Sequence, residues 1–130
     1  MKKNILITGA AGFIGFHLTK KLSEKGLKIV GVDNLNTYYD KNLKLARLKQ
    51  LKKFKNFIFL KSDISDIKKL KKIFKKYNFS KVYNLAAQAG VRYSLKKPGE
   101  YVKSNLIGFY NILELSKKYS VSHLIYASSS

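Results

Sequence analysis

The densest chemistry in this chain lies near its start, in Thr8-Gly9-Ala10-Ala11-Gly12-Phe13-Ile14-Gly15. Three of the chain's eight glycines fall here at a three-residue spacing. Glycines so placed between a strand and a helix suit a phosphate-bearing ligand. Gly9 permits a tight turn, Gly12 lets backbone approach a pyrophosphate, and Gly15 lets the helix pack against the sheet. The helix start adds unpaired N–H groups and the positive end of a dipole. The candidate contacts are therefore Gly9, Ala11, Gly12, Phe13, Ile14 and Gly15. A glycine-rich turn without a ligand is the alternative.

Asp33 ends the second apolar segment. A carboxylate there accepts hydrogen bonds from the hydroxyls of an adenosine ribose and repels a 2′-phosphate. The residues after it, Asn34-Leu35-Asn36, offer no arginine, so NAD is expected over NADP. An N-cap or turn aspartate fits the same position. Asp63-Ile64 follows the third apolar segment, near where an adenine lies in such a fold, and a plain turn aspartate satisfies that pattern too. Leu85-Ala86-Ala87-Gln88-Ala89-Gly90 leaves the fourth segment with small side chains that let backbone pass a flat ligand, or that simply make a packing corner. No second histidine or carboxylate is spaced with His17 or His123 for a metal, so both are read as structural or surface residues.

The elements that must position these residues alternate. Strands are predicted at Asn4–Thr8, Lys28–Val32, Phe57–Leu60, Val82–Ala86 and His123–Ala127. Between them, Ile14, Leu18 and Leu22 recur at helical spacing, with Gly26 as the stop. Further helices are predicted from Tyr39 to Lys53, with Leu43, Ala46, Leu48 and Leu51 on or near the apolar face, and from an Asp66 N-cap to Tyr77. A long helix is predicted from Pro98 to Lys118. Such alternation implies right-handed β-α-β units in a doubly wound parallel α/β sheet of order 3-2-1-4-5. Residues 1–130 are read as one dinucleotide-binding domain, without repeat or linker, ending after the fifth strand.

The net charge of +20 invites a nucleic-acid reading. Against it, only Arg47 and Arg92 are arginine, the residue favoured for bidentate recognition of guanine and phosphate. The lysines recur along helices, as in Lys68-Lys69, Lys71-Lys72 and Lys75-Lys76. Abundant lysine, asparagine, isoleucine, phenylalanine and tyrosine together match A/T-rich codons. No nucleic-acid site is therefore expected. No apolar run reaches the roughly 18 residues of a membrane span, no signal peptide is apparent, and cysteine is absent. A cytoplasmic location is expected.

The glycine motif resembles that of the extended short-chain dehydrogenases/reductases, within the NAD-dependent epimerase/dehydratase family. Asp33-Asn34-Leu35-Asn36 with Tyr38-Tyr39-Asp40, Leu45-Ala46-Arg47-Leu48, Leu85 through Ser94, Tyr101-Val102, Ser104-Asn105-Leu106 and Tyr126 through Ser130 narrow it further. Together they resemble the UDP-glucuronate 4-epimerases, over essentially the whole chain. One departure is Asn84, where many relatives carry histidine, and little effect is expected from it.

The resemblance implies a transient oxidation. Bound NAD takes a hydride from C4 of a UDP-sugar while a tyrosine removes the hydroxyl proton. The keto sugar turns over, and the hydride returns to its other face. A lysine lowers the tyrosine's pKa, and a serine or threonine hydroxyl bonds the reacting oxygen. The serine role falls to Ser129, with Ser128 and Ser130 beside it. Asn105 and Gly108 match a supporting helix position, Asn105 at the cofactor, and Arg92 frames the substrate pocket. The catalytic tyrosine–lysine pair and the substrate domain would lie beyond Ser130, so these residues alone are expected to be inactive. Tyr77 with Lys81 and Tyr93 with Lys97 share the Tyr-x-x-x-Lys spacing. With nine tyrosines and lysine at roughly one position in five, about two such matches arise by chance. The resemblance also implies a homodimer paired through helices, one of them in the Pro98–Lys118 region. Its partner helix would lie beyond Ser130, so Ile112, Leu113 and Leu115 are expected to lack part of their cover.

The sequence thus reads as the NAD-binding part of a nucleotide-sugar epimerase, most closely of the UDP-glucuronate 4-epimerase kind. The rivals are another NAD-dependent nucleotide-sugar epimerase or 4,6-dehydratase, an inactive dinucleotide-binding fragment, and, last, a basic nucleic-acid binder.

Overall fold

A computed structural model of the chain describes residues 3–36, 40–88 and 91–128. Five parallel strands form one sheet in the order β3-β2-β1-β4-β5. They are β1 (Asn4–Thr8), β2 (Lys28–Asp33), β3 (Phe57–Lys61), β4 (Phe79–Asn84) and β5 (His123–Tyr126). Helices α1 (Phe13–Glu24), α2 (Lys41–Leu51) and α3 (Ile67–Tyr77) connect the first four strands. After β4 come α4 (Val91–Lys96), α5 (Pro98–Tyr101), a π-helical segment (Val102–Ile107) and α6 (Gly108–Lys118). β4 starts three residues before the predicted Val82 and ends at Asn84, because Phe79 already pairs with Asn4 and Leu85 leaves the ladder.

Alternation along the strands sorts the core into two layers. Ile5, Ile7 and Ile29 face one side, with Phe16 of α1 and Leu48 and Leu51 of α2. Leu6, Val30, Val32 and Val82 face the other, with Leu70, Ile73 and Phe74 of α3 and Ile112 and Leu115 of α6. Gly31 makes close packing possible on the first side. A Cβ there would come within 2.8 Å of both the Ala10 Cβ and the Phe57 ring.

Local signals set the helix ends. The Asp66 side chain accepts from the Lys69 N–H, as an N-cap should, and Asn78 closes α3 in the left-handed region at φ 50°. Asp40 caps α2 by accepting from Asn42.

Four expectations need correction. Ile14 is 62% exposed, because the buried face of α1 runs through Gly15, Phe16, Thr19 and Ser23. On α2, Leu43 and Ala46 face solvent, and Lys44 takes the inward position beside Leu48 and Leu51. Ile112 and Leu115 are covered by α3 and the sheet, and only Leu113 of that trio is exposed. The helix expected at Pro98–Lys118 is interrupted by its π-helical turns. Six lysines of α3, by contrast, do lie on its solvent face.

Candidate functional site

A cleft opens at the carboxyl ends of β1, β2, β3 and β4, where the strand order reverses direction. That is where ligands bind in open parallel sheets. Its walls include Gly9 and Gly12 after β1, Asp33 and Asn34 at the end of β2, and Ser62, Asp63 and Ile64 after β3. Leu85, Ala86, Ala87 and Gln88 after β4 and Ser104 of the π-helical segment complete it.

The glycine turn is built from close backbone approaches. Gly9 has φ +71°, and a Cβ there would lie 2.9 Å from the Ala86 nitrogen. Its N–H donates to the Val32 carbonyl at 2.8 Å, which ties the turn to β2. A Cβ at Gly15 would stand 2.0 Å from the Gly9 carbonyl oxygen. Gly15 therefore lets the helix close upon the turn's own backbone, where the sequence suggested contact with the sheet. Phe13 and Ile14 carry their side chains outside the cleft, and what they offer a ligand is the unpaired N–H groups of a helix's first turn. The Ala11 N–H is directed elsewhere, to the Asp33 Oδ2 at 3.1 Å.

Asp33 is buried. Its other oxygen accepts from the Leu35 N–H at 2.8 Å, so backbone fixes the carboxylate at the edge of the cleft. The Lys44 ammonium lies 3.6 Å from that same oxygen. It also donates to the Asn36 Oδ1 at 3.3 Å, and Asn36 donates to the Gln88 Oε1 at 3.3 Å. A polar chain from β2 to the β4 loop thus crosses the cleft. Asn105 completes it by clamping the Gln88 backbone, accepting from its N–H at 2.8 Å and donating to its carbonyl at 3.1 Å.

Asp63 faces this chain. Partial burial pushes its carboxyl up. The Ser65 N–H and hydroxyl, the Asn34 amide and the Lys103 ammonium outweigh that and hold it below the ordinary carboxylate value. The Ser62 hydroxyl next to it is buried in the cleft wall without a hydrogen-bond partner. Such an orphaned group is costly unless a ligand satisfies it.

α6 is held against the loop after β3 by the Asn111 amide, which donates to the Ile64 carbonyl at 2.9 Å. Gly108 lets it come so close, since a Cβ would meet the Ile64 side chain at 2.5 Å. A second cavity adjoins the first beyond β4, lined by Asn84, Asn105, Phe109, Tyr126 and Ala127 among others.

The remaining site expectations divide. Ser128 is exposed just after β5, whereas Ser129 and Ser130 lie outside the described residues, as do Ala89, Gly90, Tyr38 and Tyr39. Arg92 is exposed on α4. Tyr77 and Lys81 sit toward the amino end of the sheet, where the Asn4 amide donates to the Tyr77 carbonyl, far from the cleft mouth. Tyr93 packs against Tyr101. His17 lies edge-on to Phe13 and Phe16. Sequence reasoning missed Lys44, Ser62, Ser104 and Arg47, whose guanidinium donates to the Ala11 carbonyl at 3.0 Å. For Lys44 a signal existed: it stands four positions before Leu48 and seven before Leu51, on their face of the helix.

Among the described residues no group of three or more acidic or histidine side chains is placed to hold a metal, and no helix is long and apolar enough to cross a membrane.

The family model described as GDP-mannose 4,6 dehydratase matches residues 6–130. The chain is 52% identical over 126 residues to Protein CapI of Staphylococcus aureus, covering 97% of this chain and 37% of that protein. It is 50% identical over 125 residues to a UDP-glucuronate 4-epimerase of Thermodesulfobacterium geofontis, covering 96% and 39%. A UDP-glucuronic acid 4-epimerase of Bacillus cereus, solved with UDP-glucuronic acid and NAD, superposes with a TM-score of 0.88 at 34% identity. That match covers 98% of this chain and 40% of the solved one. The chain thus spans about two fifths of the length of these relatives.

Proposed function

Because this chain belongs to the GDP-mannose 4,6 dehydratase family of nucleotide-sugar epimerases and dehydratases, we propose that it is the NAD-binding part of a UDP-glucuronate 4-epimerase. The observation that carries the cofactor assignment is the cleft itself. Its glycine turn leaves no room for side chains, a backbone-anchored carboxylate stands at its edge, and the orphaned Ser62 hydroxyl lies in its wall. Gly12 and the first turn of α1 hold the pyrophosphate. Asp33 accepts from the adenosine ribose, and Ser62, Asp63 and Ile64 line the adenine end. Leu85 through Gln88, held by Asn105, back the nicotinamide half. When bound, NAD supplies reversible hydride acceptance.

The sugar specificity rests on the 50% identity to a UDP-glucuronate 4-epimerase. The second cavity beside Tyr126 and Ala127 is where the reacting sugar would lie, and by family resemblance Ser129 would bond its oxygen and Arg92 would frame it. Neither tyrosine of the Tyr-x-x-x-Lys matches stands there. A positioned base contributes roughly 10²–10⁴-fold to such a step, so little or no turnover is expected where neither tyrosine stands. The exposed apolar row Val102, Leu106, Tyr110 and Leu113 along the helical run supports pairing of two subunits through this face.

Calorimetry with NAD, followed by chromatography after incubation with UDP-glucuronate and NAD, tests the reading. Binding without formation of UDP-galacturonate is expected. Failure to bind NAD removes the cofactor assignment. Product that disappears on Ser129→Ala would show that the chain carries its own base.

A further inference from the structure

Lys44 has no part in the glycine-turn pattern, yet it is the one buried lysine among the described residues. It occupies the inward face of α2 that Leu48 and Leu51 otherwise make apolar. The exposures of the Lys44 and Asp33 side chains are 8% and 5%. A lysine so enclosed is costly unless paired, and an apolar residue would pack there at less cost. Packing therefore does not explain it. What it does is bring a positive charge to 3.6 Å from the carboxylate that faces the adenosine ribose, with its position set by Asn36. Lys44 also lines the cleft itself. The neighbouring cations are engaged otherwise: Arg47 bonds the Ala11 carbonyl, and Lys103 lies 3.6 Å from Asp63.

We propose that Lys44 is a specificity-determining residue of the ribose site, a phosphate-binding cation masked by Asp33. This rests on the dinucleotide reading and extends it. A 2′-phosphate on the adenosine ribose would arrive within reach of the ammonium but against the Asp33 charge. Rejection of the phosphorylated dinucleotide then depends on Asp33 alone, and Lys44 opposes that rejection. No arginine need be added to reverse the preference, because its cation is already present.

The test is calorimetry of NAD, NADP and adenosine 2′,5′-bisphosphate on the native chain, Lys44→Gln, Lys44→Arg, Asp33→Asn and the Asp33→Asn/Lys44→Gln pair, with folding checked by circular dichroism. The native chain is expected to prefer NAD. Lys44→Gln should lower affinity for NADP and the bisphosphate at least about tenfold more than affinity for NAD, and Lys44→Arg should restore it. Asp33→Asn should bring NADP to at least the affinity of NAD, and the double variant should lose that gain. An NADP-to-NAD ratio indifferent to Lys44 overturns the proposal while leaving NAD binding by the native chain intact. A native chain that binds neither dinucleotide overturns the reading beneath it. If the Asp33 variant does not fold, Lys44→Gln in the native background still decides.

Discussion

The Thr8 hydroxyl donates to the Asn84 Oδ1 at 2.6 Å, joining the carboxyl ends of β1 and β4 across 76 positions of sequence. The Thr8 Oγ1 in turn accepts from the N–H groups of Leu85 and Ala86, each at 3.0 Å. One buried hydroxyl thus satisfies the backbone where β4 leaves the sheet and shapes the wall of the cleft. Asn84, from which little effect was expected, is the group that accepts the Thr8 hydrogen bond.

Thr8→Val keeps the shape and removes the hydroxyl. Two part-buried backbone N–H groups and the Asn84 Oδ1 then lose their partner, each at the low end of the about 1–3 kcal/mol that a buried polar group left unmade costs. A loss of about 2–3 kcal/mol in denaturant unfolding is expected, with weakened NAD binding. Thr8→Ser should retain most of both, and equal losses in the two variants would contradict the hydroxyl's role.

Gly15 and Gly99 make a matched pair. A Cβ at Gly15 meets the Gly9 carbonyl oxygen, which is backbone and cannot swing aside, whereas at Gly99 nothing lies within 4 Å. Gly15→Ala is expected to cost about 3 kcal/mol or more and to abolish NAD binding. Gly99→Ala should be neutral or stabilise α5 by about 0.5–1 kcal/mol, the helical difference between glycine and alanine. Thermal melts and NAD titrations of both variants check this.

Asp63 sets an acid-side dependence. Its folded carboxyl titrates below its ordinary value, so the folded state binds that proton less readily than the unfolded chain. The resulting stability is present above the unfolded value of about 3.9 and is lost as pH falls through the lower folded value. Asp63→Asn should flatten the stability curve in that window and leave its slope near neutrality unchanged, as read by unfolding at a series of pH values.

Charge crowding acts in the opposite sense. The Lys118 ammonium beside Lys71 lowers the Lys71 pKa, with Tyr119 opposing it and slight desolvation adding to it. This contact works against the α3–α6 packing at pH values below the folded Lys71 pKa, and the penalty is relieved as pH rises through it. Lys118→Glu should raise the melting temperature at low salt. Added salt should shrink the difference, because exposed charges are screened. A difference that persists undiminished at 1 M salt would point to packing instead.

The exposed helical row predicts association. Leu106→Glu with Tyr110→Glu places charge on the face proposed to pair subunits, and should lower the sedimentation coefficient without changing NAD affinity. An unchanged coefficient, in a chain that self-associates, would put the interface elsewhere.

Some of this molecule was legible one segment at a time. The glycine spacing, the carboxylate closing β2, the Asp66 cap and the alternation of strands and helices are local patterns. A backbone that must turn tightly, cap a helix or alternate its side chains leaves its mark on neighbouring residues. The order of the parallel sheet followed, since crossover handedness permits few alternatives. The tertiary structure alone decided which apolar positions are covered. Ile14 and Leu43 fit a helical period yet face solvent, while Ile112 and Leu115 are sealed by α3 and the sheet. It also decided the polar partnerships: Lys44 with Asp33, Asn105 with the Gln88 backbone, Asn111 with the Ile64 carbonyl. Periodicity reports which residues share a face, whereas these contacts join segments that meet only when the sheet has formed. A lysine in a lysine-rich chain therefore reads as solvated surface until the fold closes an aspartate over it.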